Sequence, residues 1–316
     1  VNDATAICGS LAYDIVARYH GRFGDHVLPD GEQRMALSFQ VPQLRREFGG
    51  CGGNVAYGFS SLGGRACLVG AIGEDGAAYL EHLERLGVDT ERVSTVLGVL
   101  TAQSYIMTDS VNSQLCSFHA GAMRFSDECD LPSATLARVV LAPDSVAATL
   151  MHAAQCRERN VPYLFDPGQS LPGYAPAQLE RLLLDAAAVK CNDAEAEQIA
   201  ALLGCSVDDW SARCAVVIVT AGAAGCRVRE RGGAWRDAPG VAASAVVDAV
   251  GCGDAFVAAM LWALDHGGGW YEAACAGNIA GAIKIASPGS QNHRMDAAML
   301  AERLRRSYGI ELAAAS

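Results

Sequence analysis

The chain has 316 residues, 51% of them hydrophobic and 19% charged, which suits one large domain or two modest ones with a sizeable core and excludes a disordered chain. Lys and Arg total 24 against 35 Asp and Glu, so the net charge is -11. That acidity argues against a general nucleic-acid surface, but not against a small anionic ligand held by local backbone dipoles.

In chain order, residues 4–10 read as a first strand ending at Gly9-Ser10, not as a signal peptide, and the expected location is cytoplasmic. A polar, irregular stretch follows to about residue 33, and RMALSFQV (34–41) alternates like a half-buried strand. FGGCGGN (48–54) is a glycine cluster, and VAYGFSSLGG behind it has helical spacing with a paired-glycine stop. RACLVGAIG (65–73) is the next strand, and AAYLEHLERLG (77–87) an amphipathic helix. TAQSYIMTD and SQLCSFHAG, within 101–121, alternate as a hairpin with one exposed face. From residue 138, the short apolar runs RVVLAP, VPYLFDP, AAVKCN and CAVVIVTAG are spaced by helical stretches such as 145–159 and 176–186. Such repetition predicts a mostly parallel sheet covered by helices. Beyond Pro239 come three helical patterns, 254–265, 271–285 and 296–308.

The expectation is a single α/β domain over 1–316, with two excursions, roughly 13–46 and 96–121, that together form one small sheet. No apolar run reaches about 18 residues unbroken, so no membrane span is expected. The 12 cysteines form no C-x-x-C pair and read as small core residues of a reducing compartment. No tight Cys/His cluster is spaced for zinc.

Gly251-Cys252-Gly253-Asp254 precedes an apolar helical run. First-turn amides have no partners inside a helix, and glycines let them approach a ligand, which makes a hole for negative charge. Asp254 beside it is placed to take a proton from a hydroxyl, a combination suited to phosphoryl transfer. The alternative is an Asp N-cap behind a tight turn. Neither the dinucleotide G-x-G-x-x-G after a first strand nor a G-x-x-x-x-G-K-[ST] loop is present. FGGCGGN offers a second close-approach surface, where Asn54 can donate to and accept from a polyol, or it is a plain helix start. Asp14 lies just past the first strand, where open α/β sheets bind ligands, or is a turn residue. Asn192 and Glu195, in N-D-A-E, suit magnesium through water, or form a reciprocal helix cap. Thr220 and Gly222 sit at another strand end, and Asp166 at a third.

These residues resemble the ribokinase-like (PfkB) kinases, and within them the bacterial adenosine and broad-specificity nucleoside kinases. The resemblance rests on residues 48–76, FGGCGGNVAYGFSSLGGRACLVGAIGEDG, on DAVGCGDAFVAAMLWAL at 248–264, and on N-D-A-E matching N-x-x-E. It implies a three-layer α/β/α sandwich with a small β lid, the two excursions. Asp254 is then the base for the substrate's primary hydroxyl, and Gly251, Cys252 and Gly253 the hole for the γ-phosphoryl group. Asp14, Gly50 and Asn54, with Gly53 in the same cluster, hold the ribose. Asn192 and Glu195 organise Mg2+ and the phosphates, and Thr220, Gly222 and Gly225 line the ATP side. Asp248, Val250 and Gly289 match the site of a monovalent cation such as K+.

Two departures matter. Cys252 replaces the usual small residue, so a thiol beside the phosphoryl site would make activity sensitive to alkylation. Cys51 replaces a lysine of some sugar kinases, which fits a nucleoside better than free ribose. A lid must exclude water from the transferred group. Its Phe39, Tyr105 and Phe118 offer an aromatic wall, and Gln103 and Gln169 are base-edge candidates or solvated loop residues.

The implied activity is ATP-dependent phosphorylation of the 5′-hydroxyl of a purine nucleoside, adenosine first, with inosine and guanosine as further candidates. The alternatives are a sugar or sugar-phosphate kinase on the same scaffold, and a non-catalytic nucleoside or sugar sensor. No nucleic acid or membrane partner is expected, and the protein is expected to be a monomer or homodimer.

Overall fold

The computed structural model describes residues 4–26, 38–111 and 113–313. The chain starts as β1 (Ala4–Cys8), leaves as β2 (Ala12–Arg18) and returns as β3 (Gln43–Gly49). It continues through α1 (Cys51–Ser61), β4 (Ala66–Gly73), α2 (Ala77–Glu84) and β5 (Asp89–Val96), then makes the hairpin β6 (Ala102–Thr108) and β7 (Gln114–His119). Next come β8 (Leu136–Leu141), α3 (Val146–Arg159), β9 (Tyr163–Phe165), α4 (Pro176–Asp185), β10 (Ala188–Asn192), α5 (Asp193–Leu203), α6 (Val207–Arg213) and β11 (Val216–Thr220). The antiparallel strands β12 (Gly225–Glu230) and β13 (Arg236–Pro239) precede α7 (Cys252–Asp265), α8 (Trp270–Lys284) and α9 (Ala297–Tyr308).

Among the described residues the main sheet has the order β13-β12-β11-β10-β9-β8-β1-β4-β5. Pairing is parallel from β11 to β5, and β12 and β13 are antiparallel additions at one edge, so the sheet is mixed. Strands buried on both faces are apolar on both, and β4 is buried along its whole length. Alternate side chains serve two cores. Ile7 packs with α1, α7 and α8, whereas Ala6 and Cys8 pack with α3, α4 and α5. The result is a three-layer α/β/α sandwich. Helix α7 is buried from Asp254 to Ala263, which explains why its sequence shows no polar face.

The four-stranded second sheet, ordered β3-β2-β6-β7, forms the lid. Three readings from the sequence change here. Residues 34–37 of the expected strand 34–41 lie outside the described residues, and 38–41 belong to no strand. The lid strand is instead β3, QLRREFG, whose mostly exposed side chains leave no hydrophobic alternation to detect. Strand β2 lies in the stretch that reads as irregular, and β5, β12 and β13 carry too little apolar pattern to announce themselves. Leu44, Tyr105 and Leu115 leave the lid with an exposed apolar surface. Among the described residues, no helix is long and apolar enough to cross a membrane.

Candidate active site

The carboxyl ends of β1, β9 and β10 and the N-termini of α1 and α7 converge beneath the lid, around a cavity of about 320 Å³. Ser10, Gly50, Cys51 and Asn54 form one part of its wall, and Asp166, Gly168, Gln169, Lys190, Asn192 and Glu195 another. Val250, Gly251, Gly253 and Asp254 form the floor, and Ala12, Asp14, Ser104, Ile106 and Phe118 reach it from the lid.

The cap of α7 is Gly251, with φ 80° and no side-chain cap bond. That left-handed backbone suits glycine. Asp254 is therefore three positions into the helix, not its N-cap, and the capping alternative fails. Its carboxylate is 8% exposed, and Oδ2 accepts from Asn54 Nδ2 at 2.8 Å. Burial pushes the Asp254 carboxyl up to about 6, against the Asn54 hydrogen bond, which lowers it. The Cys252 amide already donates to Ala249 O at 3.2 Å. Gly253 and Asp254 thus carry the first-turn amides that helix geometry leaves without an intrahelical acceptor beside the cavity.

Asp14 approaches from β2, 9% exposed. Burial, then the nearby Asp254 charge, lifts its carboxyl to about 6. Two carboxylates thus share the cavity, one on the lid and one on the floor. In the same cavity, Lys190 Nζ donates to Asp166 Oδ2 at 2.8 Å, a pair only 6% and 4% exposed. Burial alone would lower the lysine, but Asp166 and Glu195 outweigh it and hold the ammonium charged. A Cβ on Gly253 would stand 2.9 Å from Lys190 Nζ, so bare backbone at 253 admits the ammonium to the start of α7.

Asn54 is held on both sides. Its Oδ1 accepts from Gln291 Nε2 at 2.9 Å, and Gln291 Nε2 also donates to the Tyr79 hydroxyl at 2.6 Å. This fixes which end of the Asn54 amide faces Asp254. Asn192 and Glu195 form the reciprocal cap of α5: Asn192 Oδ1 accepts from Glu195 N, and Glu195 Oε2 accepts from Asn192 N, each at 2.8 Å. Both still line the cavity, and burial followed by the Asp166 charge raises the Glu195 carboxyl.

Of the other expected site residues, Phe118 and Gln169 line the cavity, whereas Gln103, Tyr105, Phe39, Gly53 and Cys252 do not. The parallel register pairs Asp14 with Ser104 and Tyr13 with Gln103, so strand alternation turns Gln103 away. Gln103, itself buried, accepts at Oε1 from the Tyr105 hydroxyl, and Tyr105 is exposed. Phe118 opposes Ser104 and so reaches the cavity. Phe39 packs instead against Tyr19, with ring centroids 4.8 Å apart. Gln169 lines the wall and donates to Cys51 Sγ at 3.7 Å. Gly53 faces the Tyr79 hydroxyl. Cys252 Sγ points to Gly281 O at 3.7 Å, so the thiol lies between α7 and α8 and not at the phosphoryl side.

Thr220, Gly222 and Gly225 occupy the turn after β11, one strand beyond Asn192, which pairs with Thr220. Asp248 and Gly289 meet behind α7, where Asp248 accepts from Val250 N at 3.0 Å and from Gly289 N at 2.9 Å. All twelve cysteines are free thiols. Among the described residues, no group of three or more His, Cys, Asp or Glu side chains forms a ready metal cage.

Sequence reasoning assigned no role to Lys190, Asp166, Ser104 or Gln291. Lys190 had a signal, a lone charge inside the apolar strand AAVKCN just before N-D-A-E. Ser104 and Gln291 had none, because only strand pairing and a contact across 237 positions bring them in.

The profile of the pfkB family of carbohydrate kinases matches residues 6–297. The nucleoside kinase of Burkholderia thailandensis, in a structure with inosine, is 36% identical, with a TM-score of 0.88 over 98% of this chain and 100% of that one. A second structure of it, with ADP-inosine, has a TM-score of 0.85. The nucleoside kinase of Methanocaldococcus jannaschii is 27% identical over 85% of this chain and 89% of its own length. A ribokinase of Mus musculus is 28% identical over 69% of this chain and 72% of its own.

Proposed function

The chain belongs to the pfkB family of carbohydrate kinases, and we propose that it uses ATP to phosphorylate the 5′-hydroxyl of a purine nucleoside, adenosine first, with inosine and guanosine as further acceptors. The observation that carries this reading is the pairing of Asp14 and Asp254 across a cavity that also has an apolar lid wall, Ile106 and Phe118. A plain sugar has no use for that wall, whereas a flat base does. The Burkholderia thailandensis enzyme, whose structure holds inosine, adds weight at 36% identity.

In this mechanism Asp14 accepts hydrogen bonds from the ribose hydroxyls, with Gly50 beneath them and the base against Phe118. Asp254, held by Asn54, takes the proton from O5′ as that oxygen attacks the γ-phosphorus. The bond from the γ-phosphorus to the β–γ bridging oxygen breaks, and ADP leaves with the bonding pair. The proton on Asp254 later passes to water. The first-turn amides of α7 and the Lys190 ammonium offset the charge on the transferred group, and such preorganised donors are effective because they need no rearrangement. The amide oxygen of Asn192 and the carboxylate of Glu195 are hard oxygen donors on the cavity wall, a set that fits a hydrated magnesium ion. Bound there, Mg2+ would neutralise phosphate charge. Thr220, Gly222 and Gly225 would face the nucleotide.

The test is ATP with a panel of adenosine, inosine, guanosine, cytidine, ribose and fructose 6-phosphate, with products resolved by phosphorus NMR. Expected is a kcat/KM for adenosine at least about tenfold above ribose, the scale of one stacked base, with phosphate on O5′. Ribose winning, or fructose 6-phosphate turning over faster than any nucleoside, would overturn the acceptor assignment and leave the kinase.

A further inference from the structure

The resemblance assigns a monovalent cation to Asp248, Val250 and Gly289, and the geometry there does not fit one. A potassium site needs free oxygens, but the Asp248 carboxylate already accepts from the amides of Val250 and Gly289, at 3.0 and 2.9 Å, and the Asp248 carbonyl from the Lys284 ammonium. A cation is already present. Lys284, at the end of α8, is 0% exposed, and its Nζ donates to Asp248 O at 2.7 Å and Ser287 O at 3.4 Å, with Asp248 Oδ1 at 4.0 Å.

These contacts tie two loops into one body. Val247 N and Asp248 N donate to Ile285 O at 2.8 and 3.1 Å, next to Lys284 in sequence. Gly289 closes onto Asp248, and Ser290 then lies under Gly251, whose Cβ, if it had one, would be 3.0 Å from Ser290 Cβ. A continuous set of contacts therefore runs from the Lys284 ammonium to the cap of α7, and so to the amides and carboxylate at the cavity floor. Burial lowers the lysine and Asp248 opposes it. His293, also buried, is held neutral with its pKa lowered to about 4, chiefly by burial and then by the Lys284 charge.

We propose that Lys284 is a built-in monovalent cation, a positioning residue that holds the 247–250 loop and the start of α7, so that phosphoryl transfer needs no added K+. The inference rests on the kinase reading above, because the amides it positions are those proposed to receive the phosphoryl group.

The experiment compares KCl with tetramethylammonium chloride at constant ionic strength, reading both kcat and the melting temperature, so that the thermal arm reports even if no acceptor in the panel turns over. The parent is expected to show the same value in both salts for each readout. Lys284→Ala should lose about tenfold or more in kcat, the scale of outer-shell positioning effects, with nucleoside KM changed little. It should regain rate and melting temperature with KCl or ethylammonium, but not with tetramethylammonium. Lys284→Met separates charge from packing and should stay as slow as Lys284→Ala. Severalfold activation or a melting shift of the parent by K+ would overturn the proposal, as would parental kcat of either variant in tetramethylammonium chloride. Should neither variant fold, the parent's response to K+ decides alone. Absence of turnover with every acceptor would instead count against the kinase reading.

Discussion

Asp254→Asn should remove catalysis and make the protein more stable. An amide oxygen at 254 can still accept from Asn54 Nδ2, which now reaches Asp254 Oδ2 at 2.8 Å, so the local geometry survives. What disappears is the base, and losing one typically costs about 10²–10⁴-fold in rate. The stability effect follows from linkage. The folded pKa is about 6 against 3.8 for the ordinary carboxyl, so ionising the folded protein is opposed by roughly 3 kcal/mol at most. Between about pH 4 and about pH 6 the folded state keeps a proton that the unfolded chain has released, so stability falls as pH rises through that window. Asp14 is also raised to about 6, and the two carboxylates titrate as a coupled pair, so the single variant should recover about 1–3 kcal/mol. The assay is calorimetric melting near pH 4 and at neutral pH, alongside initial rates. The variant should melt several degrees above the parent at neutral pH, at about 2–4 °C per kcal/mol, and with the parent near pH 4. The parent's kcat/KM should rise with pH through about 6, as Asp254 loses its proton. Parental turnover, or a variant less stable than the parent at neutral pH, would refute the reasoning.

Asp14→Ala should raise KM for the nucleoside by roughly 10–100-fold, the loss of a charged hydrogen bond of about 1.5–3 kcal/mol, and leave KM for ATP nearly unchanged; equal effects on both would move Asp14 off the acceptor. Lys190→Met should slow kcat and destabilise by about 3–5 kcal/mol, because Asp166 would be left as an unpaired buried carboxylate. Adding Asp166→Asn should restore the melting temperature but not the rate, and recovery of both would reduce the pair to a structural role. Phe118→Ala should lower the preference for adenosine over ribose by about 1–3 kcal/mol, whereas Gln103→Ala, buried but turned from the cavity, should leave kcat/KM for adenosine within about twofold; a competition assay with adenosine and ribose reads the first, and initial rates with adenosine the second.

Local chemistry determined much of this protein from the sequence alone. Paired glycines, strand-length apolar runs and helical spacing are encoded within about ten residues, so the α/β repetition, α1, α7 and the glycine sites at 50 and 251 were legible. The carboxylates at 14 and 254 were legible as candidates too, because a charge at a strand end or helix mouth stands out against its apolar surroundings. Tertiary structure decided what depends on pairing and on distant partners. Whether Asp254 caps its helix turned on where the helix starts, three residues earlier at Gly251, and whether Gln103 or Ser104 meets the cavity turned on strand register, where a shift of one residue exchanges the two faces. The charged lid strand β3 had no buried face to write an alternation into its sequence. Lys190 with Asp166, Gln291 with Asn54, and Lys284 with Asp248 join residues 24, 237 and 36 positions apart. Partnership at that separation is set by how the layers stack, and no local pattern records it.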